Sequence, residues 1–207
     1  MRDFNMCERC REEYEDPGDR RFHAQPNACP VCGPRLTILD SEGVAVQTSN
    51  PIAAAVERLR QGDIIALKGL GGFQLVCDAT EEPVVEKLRL RKQRPHRPLA
   101  VMMRDITMVR RHTRITTEET ALLTSSRAPI VLLPILPNTD ISRLVAPDTD
   151  TLGVMLPYTP LHHLLMAATN GPLVVTSGNF SHTPIAQNND EAISRLSGIT
   201  DYFLLHN

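Results

Sequence analysis

The stretch Asp63-Ile64-Ile65-Ala66-Leu67-Lys68-Gly69-Leu70-Gly71-Gly72-Phe73-Gln74-Leu75-Val76-Cys77 decides the fold class. Ile64 to Leu67 is a short unbroken apolar run with polar ends, the pattern of a strand buried on both faces. Three glycines break it, and Phe73 to Cys77 reads as a second strand. Upstream, Asn50-Pro51 supplies a cap and a first-turn proline for a helix that Gly62 ends. Downstream, Thr80 is expected to cap a helix running to about Gln93, with Val84, Val85 and Leu88 on its inner face. Strands follow at Leu99–Met103, Ile130–Leu133 and Leu152–Leu156. Thr116 with Glu119 reads as the capping box of a helix through Leu123. Thr159-Pro160 opens a helix that ends near Gly171. Leu173–Thr176 reads as a strand leading into Ser177-Gly178-Asn179. Asn189 or Asp190 opens another helix, and Tyr202–Leu205 is the last strand. Strands alternating with amphipathic helices make residues 50–207 an α/β domain.

The N-terminal part has a different texture. Cys7-Glu-Arg-Cys10 and Cys29-Pro-Val-Cys32 are two tight pairs separated by residues 11–28. Each C-x-x-C turn can aim two sulfurs at one ion, so Cys7, Cys10, Cys29 and Cys32 read as a structural zinc site. Disulfides would need an oxidising compartment. Arg2, Asp3 and Asn5 interrupt any apolar run that could serve as a signal peptide. Residues 1–40 are polar and too few for a core, so the metal is expected to supply their folding energy. Cys77, inside an apolar run, reads as a buried core thiol. A small metal module over 1–40 and a larger domain over 50–207 are therefore expected. The net charge of −2 advertises neither nucleic acid nor membrane. No apolar stretch reaches the ~18 residues of a membrane span. The reading is a soluble cytoplasmic protein. The chain stops at Asn207 directly after a strand, which reads as a C-terminally truncated fragment.

Three places carry chemistry. The turn Lys68-Gly69-Leu70-Gly71-Gly72 can bring bare backbone close to a phosphate or carboxylate. A plain turn is the competing reading, and no helix follows to complete a dinucleotide or phosphate-loop fingerprint. The run Arg89-Leu90-Arg91-Lys92-Gln93-Arg94-Pro95-His96-Arg97-Pro98 ends a helix on a stiff turn. Lys92 and Arg94, two apart, could face one anion in an extended turn, Arg as a planar fork and Lys as a compact charge. A solvated basic helix end is the alternative. The strand Leu173–Thr176 delivers Ser177 and Asn179 to its C-terminal end, where open α/β sheets bind ligands. His162 and His163 are adjacent on a helix and point about 100° apart, so one is expected to pack and the other to be exposed.

These residues carry a resemblance. Lys92-Gln93-Arg94-Pro95 followed by Ser177-Gly178-Asn179 is similar to the K-x-R…S-x-N signature of YrdC-like domains. The cysteine finger resembles the second zinc finger of the HypF family of hydrogenase maturation carbamoyltransferases. It includes Asp19-Arg20-Arg21-Phe22-His23-Ala24-Gln25-Pro26 and Cys32-Gly33-Pro34-Arg35. Gly153-Val154-Met155-Leu156-Pro157-Tyr158-Thr159-Pro160-Leu161-His162-His163 is similar to that family as well. The resemblance covers essentially the whole chain.

It implies a YrdC-like twisted mixed sheet with flanking helices, preceded by a small four-cysteine zinc-finger module. It implies ATP-dependent formation of carbamoyl adenylate from carbamoyl phosphate or carbamate, with Mg²⁺ assisting. The carbamoyl group would pass to a HypE-type protein partner on the route to [NiFe] hydrogenase. By motif match, Lys92, Arg94, Ser177 and Asn179 would bind ATP. Lys68, Gly69, Gly71 and Gly72 would form a candidate cradle for carbamoyl or phosphate. The 207 residues contain no counterpart of the family's first finger, acylphosphatase-like domain or C-terminal transferase domain, so the fragment is expected to bind nucleotide without completing the whole reaction.

Other classes compete. A zinc-containing RNA-binding module would use the basic run as a phosphate track, but aromatics are 4% of the chain and Trp is absent, so stacking platforms are scarce. A tRNA-modifying YrdC-like enzyme would carry a threonine-rich turn where this chain has Gly69-Leu70-Gly71-Gly72-Phe73, and would lack the finger. A structural scaffold within a longer protein is the third alternative.

Overall fold

A computed structural model describes residues 5–181 and 183–207. The chain divides into two compact units, Met1–Thr37 with His206–Asn207, and Ile38–Leu205.

In the first unit, α1 (Glu8–Glu15) has Cys7 at its N-cap and buries Cys10. The sequence reading did not anticipate this helix, because ERCREEYE is strongly polar and only one of its side chains is buried. Polar contacts hold the rest. Arg21 bridges to Glu13 at 2.6 Å, and Asn27 Nδ2 donates to the Cys10 carbonyl at 2.7 Å. The His23 ring stacks with those of Tyr14 and Phe22. The strand β1 (Leu36–Asp40) carries the chain into the second unit.

The second unit continues with α2 (Pro51–Arg60), β2 (Ile65–Lys68), β3 (Phe73–Asp78), α3 (Glu82–Lys92), β4 (Ala100–Met102), α4 (Ile106–His112), α5 (Thr117–Leu123), β5 (Val131–Pro134), β6 (Thr151–Met155), α6 (Pro160–Ala168), β7 (Leu173–Ser177), α7 (Asn189–Leu196) and β8 (Tyr202–His206). The strands form one mixed sheet in the order β1-β8-β2-β3-β7-β4-β6-β5. β2 runs parallel to β8, and β4 parallel to β6. β3 pairs antiparallel with both β2 and β7, and β7 antiparallel with β4. The α/β reading and the mixed sheet expected from the resemblance are both found. Phe73, Leu75, Leu88, Val101 and Phe203 are buried in the core, as is Cys77.

Local signals mostly act as expected. Asn50 accepts from the Ala53 N–H, and Gly62 closes the helix at φ +83°. Thr116 and Glu119 form their capping box. One assignment needs correction: Thr80 does not cap α3. Asp78 Oδ1 accepts from both the N–H and the hydroxyl of Thr80, a local Asx turn. Glu81 takes the N-cap position without a side-chain bond. Asp105 caps helix α4 by accepting from the Met108 N–H at 2.8 Å. Among the described residues, no helix is long and apolar enough to cross a membrane.

Candidate functional site

Helix α3 ends at Lys92, whose apolar stem lies on the same inner face as Val85 and Leu88, so Lys92 is only 1% exposed. Its ammonium donates to the carbonyls of Ser177 (2.5 Å) and Asn179 (2.6 Å) and to Asn179 Oδ1 (3.0 Å). Three donors meet three acceptors, so the charge is fully hydrogen-bonded within the protein. Burial, and then the nearby charge of Arg94, lower its pKa to about 8. The Lys92 and S-x-N motifs thus touch directly. The extended turn that would have aimed Lys92 and Arg94 together at one anion does not form, because Lys92 is still helical and Gln93 turns left-handed at φ 53°.

Asn179 is equally occupied. Its Oδ1 also accepts from Ser177 Oγ at 2.7 Å, and its Nδ2 donates to the Thr183 carbonyl. The turn is seated on β3 by a close approach: a Cβ on Gly178 would lie 2.7 Å from the Phe73 carbonyl, which accepts from the Gly178 N–H at 2.7 Å. Arg89, read only as part of the basic run, is 6% exposed. It donates to the carbonyls of Leu144, Arg94, Pro95, Arg97 and Val145. One buried guanidinium therefore shapes the loop that presents Arg94.

Beside this junction lies a cavity of about 640 Å³, within the range of small-ligand sites. Its wall includes Gly69, Gly71, Gly72, Arg94, Thr176 and Ser177. Lys68, Lys92 and Asn179 are not part of that wall. Burial lowers the Arg94 pKa, with Arg97 adding to the effect. Arg94 Nη2 donates to the Pro98 carbonyl, while its buried Nε has no partner. Gly72 requires its lack of a side chain, because it sits at φ +135° and a Cβ would lie 2.7 Å from the Ala186 carbonyl.

Gln74 and Tyr158 line the same cavity, though the sequence did not mark them as site residues. Gln74 faces Ser177 across the β3–β7 ladder, so both side chains share the cavity face. Gln74 Nε2 is 2.7 Å from the Tyr158 hydroxyl, and Gln74 Oε1 is 2.8 Å from His162 Nε2. The visible signals were a polar Gln inside an apolar strand and a Tyr just past the end of β6. His162 is buried and His163 exposed, as their helical spacing implied. Burial drives the His162 pKa down to about 4, and His163 adds to the shift.

In the first unit, the sulfurs of Cys7, Cys10, Cys29 and Cys32 all lie within 4.8 Å of one another. Cys7–Cys29 is 3.6 Å and Cys29–Cys32 is 3.8 Å. Four sulfurs about 2.3 Å from a tetrahedral ion would be about 3.8 Å apart, so the donor set fits a metal. None of the four is in a disulfide. Backbone N–H groups lower the Cys32 pKa to about 6, and similar bonds lower Cys29. Burial and neighbouring thiols hold Cys10 high. Two of the four donors are thereby shifted toward the thiolate form.

Residues 57–207 match the Sua5/YciO/YrdC family model, described as telomere recombination, and residues 6–39 match the HypF finger. The chain belongs to the Sua5/YciO/YrdC family. It is 51% identical to the carbamoyltransferase HypF of Rhodobacter capsulatus, covering 100% of this chain and 27% of that protein. A crystal structure of full-length HypF in a phosphate- and nucleotide-bound form superposes with a TM-score of 0.87 at 46% identity, again covering 100% of this chain and 27% of that one. Human threonylcarbamoyl-AMP synthase is 27% identical over 83% of this chain and 64% of its own length. The resemblance to HypF read from the finger and the K-x-R…S-x-N motifs therefore runs along the whole chain. These relatives form an enzyme family of carbamoyl chemistry, and this chain spans about a quarter of the HypF proteins named.

Proposed function

We propose that this chain carries the adenylating part of a HypF-type carbamoyltransferase. The observation that carries the reading is the placement of Arg94, Ser177 and the Gly69–Gly72 turn on one cavity wall, in a chain similar throughout to a protein crystallised with nucleotide. ATP and carbamate are its substrates, carbamate being what remains when carbamoyl phosphate loses its phosphate.

A carbamate oxygen attacks the α-phosphorus of ATP. The new P–O bond gives carbamoyl adenylate, and the bond to pyrophosphate breaks with its electron pair going to the leaving group. Arg94 holds phosphate oxygens and meets the charge that develops on them. The Gly69–Gly72 backbone lets the reacting group approach without a side chain between. Ser177 contributes its hydroxyl. Lys92 and Asn179, both occupied within the protein, keep the Ser177 turn in register with Arg94. The cavity wall has no carboxylate among the described residues, so Mg²⁺ would be held by phosphates and water.

The four cysteines hold a structural zinc ion. A HypE-type protein receives the carbamoyl group, and the work is cytoplasmic. Titration calorimetry tests the reading: ATP binds in the micromolar range and Arg94→Ala weakens it. Absence of ATP binding, with RNA bound instead, would replace the enzyme by a nucleic-acid module. Turnover of ATP with L-threonine and bicarbonate, in the absence of carbamoyl phosphate, would favour the threonylcarbamoyl branch.

A further inference from the structure

We propose that the Tyr158 hydroxyl is the hydrogen-bond donor that reads the carbonyl oxygen of the carbamoyl group, with Gln74 and His162 setting the direction of its proton. The proposal rests on the adenylating reading above.

His162 sets the direction of the chain of hydrogen bonds. Its Nδ1 is buried without a partner, and its Nε2 faces Gln74 Oε1 at 2.8 Å. A neutral imidazole carries one proton. Placed on Nδ1, that proton would be a buried N–H with no acceptor, and orphaned donors of that kind are rare. The proton therefore sits on Nε2 and is donated to Gln74 Oε1. That fixes the amide, so Gln74 Nε2 donates to the Tyr158 oxygen at 2.7 Å. The Tyr158 oxygen already accepts, which leaves its own proton to point elsewhere. Tyr158 is 39% exposed and belongs to the cavity wall, so elsewhere is the cavity. The ring is held independently by an edge-on contact with His162, centroids 4.5 Å apart.

The position suits this role. Tyr158 lies just beyond β6, and its contact with Gln74 reaches over the intervening strands β4 and β7 to β3. Gln74 is opposite Ser177 in the ladder. The donor thus stands one glutamine side chain from the Ser177 turn. Cationic Arg94 matches phosphate. A neutral phenol in a cavity that Met155 and Gly153 also line matches an uncharged amide carbonyl better than a charged group would.

Two matched ligands provide the test by titration calorimetry on this chain. One is 5′-O-(N-carbamoylsulfamoyl)adenosine, a stable mimic of the mixed anhydride; the other is 5′-O-sulfamoyladenosine, which lacks the carbamoyl group. Tyr158→Phe, which keeps the ring, should weaken the first by about tenfold and leave the second unchanged. His162→Leu should reproduce that selective loss, and His162→Gln, which returns an N–H near the Nε2 position, should restore most of it. A Tyr158→Phe chain that binds the carbamoyl mimic as wild type does, or loses both ligands equally, overturns the proposal alone. So does a wild-type chain that binds both ligands equally tightly. A wild-type chain that binds neither overturns the adenylating reading as well.

Discussion

Lys92 and Asn179 are 87 residues apart in sequence and joined twice, Lys92 Nζ donating to both the carbonyl and the side-chain oxygen of Asn179. The basic motif and the S-x-N motif are therefore one structural object. Lys92→Met leaves three acceptors without their donor in a buried place. It should cost about 2–4 kcal/mol of stability, since each orphaned group forfeits about 1–3 kcal/mol and part is regained by relaxation. Asn179→Ala keeps two of the acceptors and should cost about half as much. Urea unfolding of the two variants checks the order.

Arg94 stands on the cavity wall, and among the described residues its side chain makes one hydrogen bond within the protein, to the Pro98 carbonyl. Arg94→Ala should remove about 1.5–3 kcal/mol of ATP affinity, the usual worth of a charge-assisted contact. Its unfolding midpoint should barely move. Arg110→Ala, on α4, should change ATP affinity little. Equal losses from both variants, measured by calorimetry, would mean general electrostatics and no defined phosphate site.

The cysteine cluster predicts about one zinc per chain by elemental analysis. Cys29→Ser, or a strong chelator, should unfold residues 6–39, because few apolar side chains there can replace the ion. The sheet of the second unit should keep its own cooperative transition. A metal-free finger that stays ordered in NMR spectra would refute the zinc assignment.

His162 gives a pH signature. Its folded pKa is lowered to about 4 from an ordinary 6.5. Between those values the unfolded chain binds more protons than the folded one, so stability falls as pH drops through that window and is flat above it. One proton can contribute at most about 1.4 kcal/mol per pH unit. The difference in unfolding free energy between wild type and His162→Gln should therefore change only below about pH 6.5, favouring the variant progressively as acid is added. A constant difference from about pH 4.5 to 8 would show that His162 is not buried neutral.

Much of this protein is local and was legible in the chain. Asn50-Pro51, the Thr116/Glu119 box and Thr159-Pro160 start helices because capping chemistry involves residues within one turn. Apolar runs at Ile65–Leu67 and Leu173–Val175 had to be buried strands. The C-x-x-C pairs declared a shared ligand set by spacing alone. Thr80 misled because a nearer partner, Asp78, takes its hydroxyl, and α1 escaped notice because metal ligands and ion pairs replace an apolar face.

What the tertiary structure decided is which polar groups are available to a ligand. Lys92 is a helical cation by sequence, but the fold buries it against three oxygens and turns it into a clamp. Arg89 likewise becomes the centre of a loop of carbonyls. Gln74, Tyr158 and His162 come from β3, the loop after β6, and α6, and only sheet order brings them into one line. Sequence determines a side chain's chemistry and its local conformation. Its hydrogen-bond partners across more than 80 residues, and hence whether it faces ligand or protein, depend on strand order and register, which no local pattern encodes.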